Sequence, residues 1–208
     1  MNGTGTVGSG VVYLVDDEAV VRDALVFLLG SRGLLVHAFD GGPALLTHLA
    51  AVPAPVRGVF LLDVRMEPMS GLRLHEALVA QGIRNPLLFL SGHGDIPMVV
   101  EALKKGAFDF LEKPYSDNTL VDRIEQALAV EAASYAQDAR SVEREARLAS
   151  LSEREREVMT RVAAGKLNKV IADDLHIAVR TVEVHRARVF SKLGVRSAAE
   201  LAGWLAAG

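Results

Sequence analysis

Four apolar runs in the first half of the chain each end in polar residues, and this pattern constrains the fold more than any other. The runs are residues 11–15 before Asp16 and Asp17, 58–62 before Asp63, 87–90 before Ser91, and 108–112 before Lys113. Continuous apolar runs separated by helical patterns are typical of strands buried on both faces of a parallel sheet. Because ligands bind outside the carboxyl ends of such strands, the sequence predicts a site where these polar residues meet.

The residue types at this predicted edge suit the attack of a carboxylate on a phosphoryl group. Asp63 is a weak nucleophile and a phosphoryl group is anionic, so the attack requires a cation between them. The carboxylates of Asp16, Asp17 and Asp63 offer the oxygen ligands that Mg²⁺ prefers. Lys113 supplies a fixed positive charge, and the hydroxyl of Ser91 can donate a hydrogen bond to the product. We therefore expect an aspartyl phosphate at Asp63.

Each of these residues also has an ordinary structural interpretation. Asp16 and Asp17 can cap the helix that starts near Glu18, Ser91 can lie in a polar turn, and Lys113 can be a solvated charge. Their coincidence at the ends of four predicted strands favours the functional interpretation of the whole set.

The first part of the chain resembles the receiver domain of bacterial two-component response regulators. The matching stretches are residues 15–18, 62–66, 69–71, 91–97 and 106–114. The resemblance implies a flavodoxin-like, doubly wound (βα)5 fold and phosphorylation of Asp63 by a sensor histidine kinase. It also implies a bound Mg²⁺ held directly by Asp17 and Asp63, through water by Asp16, and by the backbone carbonyl of Arg65.

The same resemblance implies how the phosphoryl group is sensed. Ser91 and the ring of Phe110 are expected to move together, and a cis Lys113–Pro114 bond is expected to aim the ammonium at Asp63. The helix from about residue 96 to 105 and the following strand would form a dimerisation face, so the phosphorylated chain is expected to be a homodimer. Glu67-Pro68 departs from the usual Pro-Gly of the family and places an extra carboxylate beside the metal site.

Length and composition predict a two-domain chain without a membrane partner. Its 208 residues allow one domain of about 120 residues and one of about 60. No apolar stretch reaches the roughly 20 residues that a membrane span needs. Residues 1–10 have the composition of a flexible tail and not of a signal peptide. Because the chain contains no cysteine, we expect no disulfides and a cytoplasmic location.

A long stretch without glycine or proline separates the two predicted domains. Neither residue type occurs between Pro114 and Gly165, and apolar residues at helical spacing predict a helix over about residues 118–149. Its second half is rich in Ala, Glu and Arg, which suits a linker that is either solvated or paired with a second copy.

The C-terminal part has the pattern of a helix-turn-helix. Ser152 and Glu155 have the spacing of a capping box at the start of a helix that Gly165 ends. Further helices are predicted over residues 168–175, about 180–193 and about 198–206, with a tight turn at residues 176–178. Residues 151–208 contain 10 basic and 7 acidic residues, whereas the rest contains 13 and 19, so the charge weakly favours an anionic partner here.

The third of these helices is predicted to read DNA. Val182, Val189 and Leu193 should face the core, with His185 and Arg186 at its margins. Base contacts are assigned to the opposite face, namely to Glu183, Val184, Ala187 and Arg188. Phosphate contacts are assigned to Asn168, Lys169, Arg180, Thr181 and Lys192. A small packing bundle with a solvated charged face is the alternative.

This part resembles the LuxR-type DNA-binding domains, and the string from 181 to 187 resembles the FixJ subgroup in particular. Matching positions are 151–155, 165, 168–172, 175, 180–186 and 192–193. The chain is thereby identified as a member of the NarL/FixJ family, a DNA-binding transcriptional regulator and not an enzyme. The implied organisation is a receiver over residues 11–128, a helical linker over 129–147 and a LuxR-type domain over 148–208, with the helix-turn-helix at about 168–187. Ala178 departs from the Ser or Thr that often caps the recognition helix.

The implied partners are a sensor histidine kinase and double-stranded promoter DNA, with RNA polymerase as a further candidate. Two other functions compete with this one. A haloacid-dehalogenase-like phosphatase also uses an aspartate nucleophile, Mg²⁺ and a parallel sheet, but its nucleophile follows the first strand in an Asp-x-Asp pattern that Asp16-Asp17-Glu18 lacks. A DNA-binding protein with a degenerate receiver is the second, and the complete acidic site argues against it.

Overall fold

The computed structural model describes residues 10–92 and 96–206. Apart from Gly10, the predicted tail lies outside the described residues, as do residues 93–95 of the stretch 91–97. In chain order the elements are β1 (Val11–Val15), α1 (Ala19–Ser31), β2 (Leu35–Phe39), α2 (Gly42–Ala51), β3 (Val59–Asp63), α3 (Gly71–Ala80), β4 (Leu87–Ser91), α4 (Ile96–Lys104), β5 (Asp109–Glu112), α5 (Asp117–Ala149), α6 (Glu153–Ala163), α7 (Asn168–Leu175), α8 (Val179–Leu193) and α9 (Ala198–Ala206).

The strands form one parallel sheet in the order β2-β1-β3-β4-β5. This is the strand order of the flavodoxin-like doubly wound fold, so the predicted fold class of the first domain is confirmed. All five residues of β3 and of β4 are buried, as expected for central strands covered on both faces. The order reverses next to β1, and β1 and β3 therefore place their carboxyl ends at the crevice where such sheets bind ligands.

Alternate residues of each strand pack on opposite faces of the sheet, because successive side chains of a strand point in opposite directions. On one face Tyr13, Phe60 and Phe89 pack with leucines of α2 and α3. On the other face Leu14 and Leu61 pack with leucines of α1 and with the first turns of α5. Burial of each large side chain contributes about 1.5 to 3 kcal/mol, so the sheet that positions the site is a stable platform.

Helix α5 extends over 33 residues, close to the helix predicted over 118–149. The described chain divides into two compact units between Ser134 and Tyr135, inside this helix. In the first unit Glu131 is buried, accepts hydrogen bonds from Arg57 Nη2 at 3.1 Å and from the amide of Gly58 at 3.3 Å, and pairs with Arg57 Nε. These bonds attach the first part of α5 to the residues that precede β3.

The second unit contains the helices predicted for the C-terminal domain. Ser152 and Glu155 form the predicted capping box, with the Ser152 amide 2.8 Å from Glu155 Oε2. The turn between α7 and α8 passes through His176, whose φ of 53° lies in the left-handed region. Ala178 precedes α8, and its methyl group offers no side-chain cap, as predicted. Apolar residues from α6 to α9 form one core that includes Val158, Ile171, Leu175, Val182, Val189, Leu193 and Leu201.

Within the ranges that the structure describes, no helix combines the length and the apolar character that crossing a membrane requires.

Candidate functional site

The carboxyl edge of the sheet brings together Asp16, Asp63 and Lys113. Asp16 directly follows β1, Asp63 is the last residue of β3, and Lys113 directly follows β5. The ammonium Nζ of Lys113 lies 2.5 Å from Asp63 Oδ1 and 3.5 Å from Asp16 Oδ2. The Lys113–Pro114 bond is cis, as the family resemblance predicted. The three residues therefore form the pocket that the ends of the apolar runs had suggested.

Backbone amides orient both carboxylates of this pocket. Asp63 Oδ2 accepts a hydrogen bond from the amide of Arg65 at 2.8 Å, and Asp16 Oδ1 accepts one from the amide of Glu18 at 2.9 Å. The second bond closes a turn before α1 and is not the helix cap that the ordinary interpretation expected, because the N-cap residue of α1 is Glu18 and no side chain of the described residues caps this helix. It leaves the other oxygen, Oδ2, buried and without a hydrogen-bond partner among the described residues, facing Lys113. Asp16 thus stabilises the turn and also contributes an oxygen to the pocket.

Burial and charge act in opposite directions on the groups of the pocket. Burial raises the pKa of the Asp63 carboxyl; the hydrogen bond and the charge of Lys113 oppose this rise, and the neighbouring Asp16 carboxylate adds to it. Burial acts to lower the pKa of Lys113, but its hydrogen bond to Asp63 and the charges of Asp63 and Asp16 together outweigh burial and raise it. Lys113 is therefore positively charged at neutral pH.

The oxygens of this pocket fit a hard divalent cation. Asp16 and Asp63 are buried, and Asp17 is exposed beyond the end of β1. Asp16 Oδ2 has no hydrogen-bond partner among the described residues, so it can accept a hydrogen bond from a water of the cation. Within residues 10–92 and 96–206, no three His, Asp or Glu side chains form a metal cage by themselves. Mg²⁺ does not require such a cage, because it usually binds one or two carboxylates and keeps several waters.

The predicted sensing residues lie on β4, which pairs with β3, and on β5, which pairs with β4. Ser91 ends β4, is fully buried, and its hydroxyl has no hydrogen-bond partner among the described residues. Its carbonyl accepts the amide of Lys113 at 2.8 Å, which joins the end of β4 to the residue that follows β5. Phe110 on β5 is half-buried. An unsatisfied buried hydroxyl costs free energy, so the Ser91 side chain can gain a hydrogen bond from a new acceptor in the pocket.

Two residues of the pocket were not singled out from the sequence. Arg22 on α1 donates a hydrogen bond from Nη1 to the backbone carbonyl of Asp16 at 2.8 Å. Gly71 begins α3, donates its amide to the Val64 carbonyl at 3.0 Å, and lies so close to β3 that a Cβ there would be 2.2 Å from the Asp63 carbonyl oxygen. The Met-Ser-Gly stretch at 69–71 signalled Gly71, whereas nothing in the spacing of Arg22 indicated its contact.

The described faces of α8 agree with the assignment from its sequence. Val182, Val189 and Leu193 are buried in the core, and His185 and Arg186 lie at its margin. All four residues assigned to base contacts are exposed, namely Glu183, Val184, Ala187 and Arg188. The side chain of Arg180 is 88% exposed and lies 3.6 Å from Glu183, so this ion pair is weak and can open for a phosphate.

Of the residues assigned to DNA phosphates, two already make hydrogen bonds within the second unit. Asn168 Oδ1 accepts a bond from Arg186 Nη1 at 2.9 Å, which leaves the amide NH₂ of Asn168 as its donor. Lys192 donates to the Ser150 carbonyl at 2.8 Å and to Glu155 Oε2 at 2.6 Å. Lys169, Arg180 and Thr181 are exposed.

Two protein-family models match the chain. Residues 12–125 match the response regulator receiver domain, and residues 149–205 match the bacterial regulatory proteins of the luxR family.

Individual proteins resemble the chain over nearly its whole length. It is 47% identical over 196 residues to the C4-dicarboxylate transport transcriptional regulatory protein DctR of Rhodobacter capsulatus, covering 93% of this chain and 98% of that protein. It is 44% identical over 199 residues to the transcriptional regulatory protein FixJ of Rhizobium meliloti, covering 95% of both. The solved structure of the response regulator StyR is 39% identical, with a TM-score of 0.89 over 97% of this chain and all of that one.

The receiver model lies on the first unit and the luxR-family model on the second, in the order that defines these regulators. DctR and FixJ match nearly the whole chain. This family consists of transcriptional regulators and not of enzymes, which removes the phosphatase alternative. The chain belongs to the NarL/FixJ family of two-component response regulators, in which a receiver domain controls a LuxR-type helix-turn-helix domain that binds DNA.

Proposed function

We propose that phosphorylation of Asp63 by a sensor histidine kinase controls promoter binding by this chain. The proposal rests above all on the Lys113 ammonium, which bridges the carboxylates of Asp63 and Asp16, and on the buried hydroxyl of Ser91 at the end of β4, for which the described residues provide no hydrogen-bond partner. This arrangement provides a nucleophile, a positive charge for the incoming phosphoryl oxygens and a donor that can sense the product. The domain limits that we propose are residues 11–128, 129–147 and 148–208.

Receiver domains of response regulators generally bind Mg²⁺ at their acidic pocket. In this chain we assign it to Asp17, Asp63 and the backbone carbonyl of Arg65, with Asp16 acting through water. When bound, Mg²⁺ reduces the electrostatic repulsion between the anionic carboxylate and the anionic phosphoryl group. With three carboxylates and one ammonium, the ionised pocket carries a charge of about −2, which a divalent cation balances.

The transfer needs little from the protein besides positioning and charge. As a carboxylate oxygen of Asp63 bonds to phosphorus, the bond from phosphorus to the imidazole nitrogen of the kinase breaks, and its electron pair stays on that nitrogen. The Lys113 ammonium pairs with oxygens of the transferred phosphoryl group. The Ser91 hydroxyl then donates a hydrogen bond to it, and the ring of Phe110 moves into the space that Ser91 leaves.

In the second unit, the exposed face of α8 enters the major groove of the promoter. Arg188 can pair with a guanine, Glu183 can accept a hydrogen bond from a cytosine amino group, and Val184 can contact a thymine methyl group, with Ala187 beside them. Asn168, Lys169, Arg180, Thr181 and Lys192 position the domain on phosphates. RNA polymerase completes the proposed set of partners.

Replacement of Arg188 and of Lys169 by Ala should separate reading of bases from attachment to phosphates. The Arg188→Ala variant is expected to lose discrimination of about 1 to 3 kcal/mol at one base pair. The Lys169→Ala variant should bind all duplexes more weakly and reduce the slope of log affinity against log salt by about one. Affinities are measured at several salt concentrations on duplexes selected by the wild-type chain from a random pool. A uniform loss for Arg188→Ala would mean that α8 presents another face to DNA.

Phosphorylation should also tighten dimerisation, because one recognition helix reads only about one half-site and two copies are needed for a symmetric site. A coupling of the usual size, about 1 to 3 kcal/mol, corresponds to roughly 5- to 150-fold. Analytical ultracentrifugation with and without acetyl phosphate and Mg²⁺ measures the change, with the Asp63→Asn variant as control. If the monomer–dimer equilibrium stays constant while promoter affinity rises, dimerisation is not the switch.

A further inference from the structure

The last part of α5 is bonded to the helices that follow it. Arg147 Nη1 donates to the carbonyl of Leu193, the last residue of α8, at 2.9 Å. Arg144 donates to the carbonyls of Trp204 and Leu205 in the last turn of α9 at 2.6 and 3.1 Å, and its guanidinium lies 4.4 Å from the centre of the Trp204 ring. Both arginines lie in the segment that the sequence suggested as a linker, yet both bind the carboxyl ends of helices in the second unit.

These bonds satisfy groups that the helices cannot satisfy themselves. The last four carbonyls of an α-helix have no partner within it and carry partial negative charge, so a guanidinium there is favourable. At the end of α8, Arg147 lies close to Gly194, the residue that follows the helix. Gly194 has a φ of 72°, and a Cβ on it would lie 2.7 Å from Arg147 Nη1. Glycine at this position therefore allows the left-handed backbone turn and also leaves room for the Arg147 guanidinium.

Helix α8 is the helix that we propose reads DNA, so its orientation decides which bases its side chains reach. Its 15 residues span roughly 22 Å, and a tilt of a few degrees at the Leu193 end displaces the other end by roughly 1 Å. A displacement of that size is enough to break a bidentate contact to a base edge, since hydrogen bonds weaken steeply with distance and angle. Nonspecific attachment to phosphates depends mainly on charge and tolerates it.

We propose that Arg147 is a positioning residue for sequence recognition, which sets the orientation of α8 by holding its last carbonyl. This inference rests on the proposed role of α8. Arg144 holds α9, which carries none of the residues proposed to contact DNA, so it stabilises the unit without setting the orientation of α8. The two arginines, three residues apart on one helix, therefore make a matched pair for a test.

The experiment compares full-length Arg147→Ala with Arg144→Ala and with Arg140→Ala, which removes the same charge at an exposed position of the same helix. Two affinities are measured for each variant, one on a duplex selected by the wild-type chain and one on a scrambled duplex. Thermal unfolding of the second unit is followed by the fluorescence of Trp204, the single tryptophan of the chain. A variant that is only less stable loses both affinities by the same factor, because both scale with the folded fraction.

The ratio of the two affinities is expected to fall about 5- to 20-fold in Arg147→Ala and less than twofold in Arg144→Ala and Arg140→Ala. Arg147→Lys, which keeps one donor at this place, should recover most of the ratio and remain about two- to threefold below Arg140→Lys. Equal ratios in Arg147→Ala and Arg140→Ala would overturn the inference. If Arg147→Ala shows no cooperative unfolding transition, the affinity ratios of Arg147→Lys and Arg140→Lys are compared instead. Equal ratios in these two variants would overturn the inference. A wild-type ratio near one would instead contradict the proposed function.

Discussion

The Asp63→Asn variant is expected to incorporate no phosphate from acetyl phosphate and Mg²⁺, whereas the wild-type chain should approach one phosphate per chain. Asparagine has nearly the same shape as aspartate, and its oxygen can still accept the amide of Arg65 that binds Asp63 Oδ2 at 2.8 Å. The neutral amide, however, cannot act as the carboxylate nucleophile. It also loses the ion pair with Lys113. The mass of the intact chain and its sensitivity to hydroxylamine measure the product, because an acyl phosphate reacts with hydroxylamine.

An exposed carboxylate on α5, Asp122, provides the control. The Asp122→Asn variant removes the same charge and should be phosphorylated as fast as the wild type. Far-ultraviolet circular dichroism should be the same for all three proteins. Hydroxylamine-sensitive phosphate at the wild-type level on Asp63→Asn would mean that another residue accepts the phosphoryl group. In that case Asp63 would serve only as a partner of Lys113.

The buried strands were predictable from the sequence because their apolar runs are continuous. β3 and β4 are buried throughout, so each position favours an apolar residue until the strand reaches the edge and its polar end residue. The edge strand β2 lacks this signal. Its residues from Leu35 to Phe39 are half-buried or exposed and include His37, so no apolar run marks it. The resemblance to receiver domains, and not the hydrophobic pattern, supplied this fifth strand.

The ends of the C-terminal helices were predictable because local chemistry determines them. The capping box of Ser152 and Glu155 marks the start of α6, and the left-handed Gly194 follows the last residue of α8. Both signals act within a few residues of the helix end. Sequence spacing therefore contains the information needed to place them.

Long-range arginine contacts were not predictable in this way. Arg144 and Arg147 each donate to a backbone carbonyl, and the sequence does not show which backbone carbonyl a distant side chain reaches. Arg147 reaches Leu193 across 46 positions of the chain. In the sequence of a helix rich in Ala, Glu and Arg, these two arginines cannot be distinguished from solvated ones. Only the packing of α5 against α8 and α9 distinguishes them.

Replacement of Gly71 by Ala is expected to destabilise the first unit and to slow phosphorylation of Asp63. The new Cβ would lie 2.2 Å from the Asp63 carbonyl oxygen, which belongs to the backbone and cannot rotate away. Either α3 or the end of β3 must therefore move. Overpacking of this kind costs about 1 to 3 kcal/mol. Movement at the end of β3 also displaces the carboxylate that accepts the phosphoryl group, so the rate with acetyl phosphate should fall more than the folded fraction does.

Gly30 near the end of α1 provides the matched control, because a Cβ added there meets no atom within 4 Å in the described part of the chain. Gly30→Ala should stabilise the unit by up to about 1 kcal/mol, since alanine favours the helix over glycine. Urea unfolding followed by circular dichroism gives the free energies, and Trp204 fluorescence separates unfolding of the second unit. If Gly71→Ala unfolds at the wild-type urea concentration and is phosphorylated at the wild-type rate, the close approach of α3 to β3 does not position Asp63.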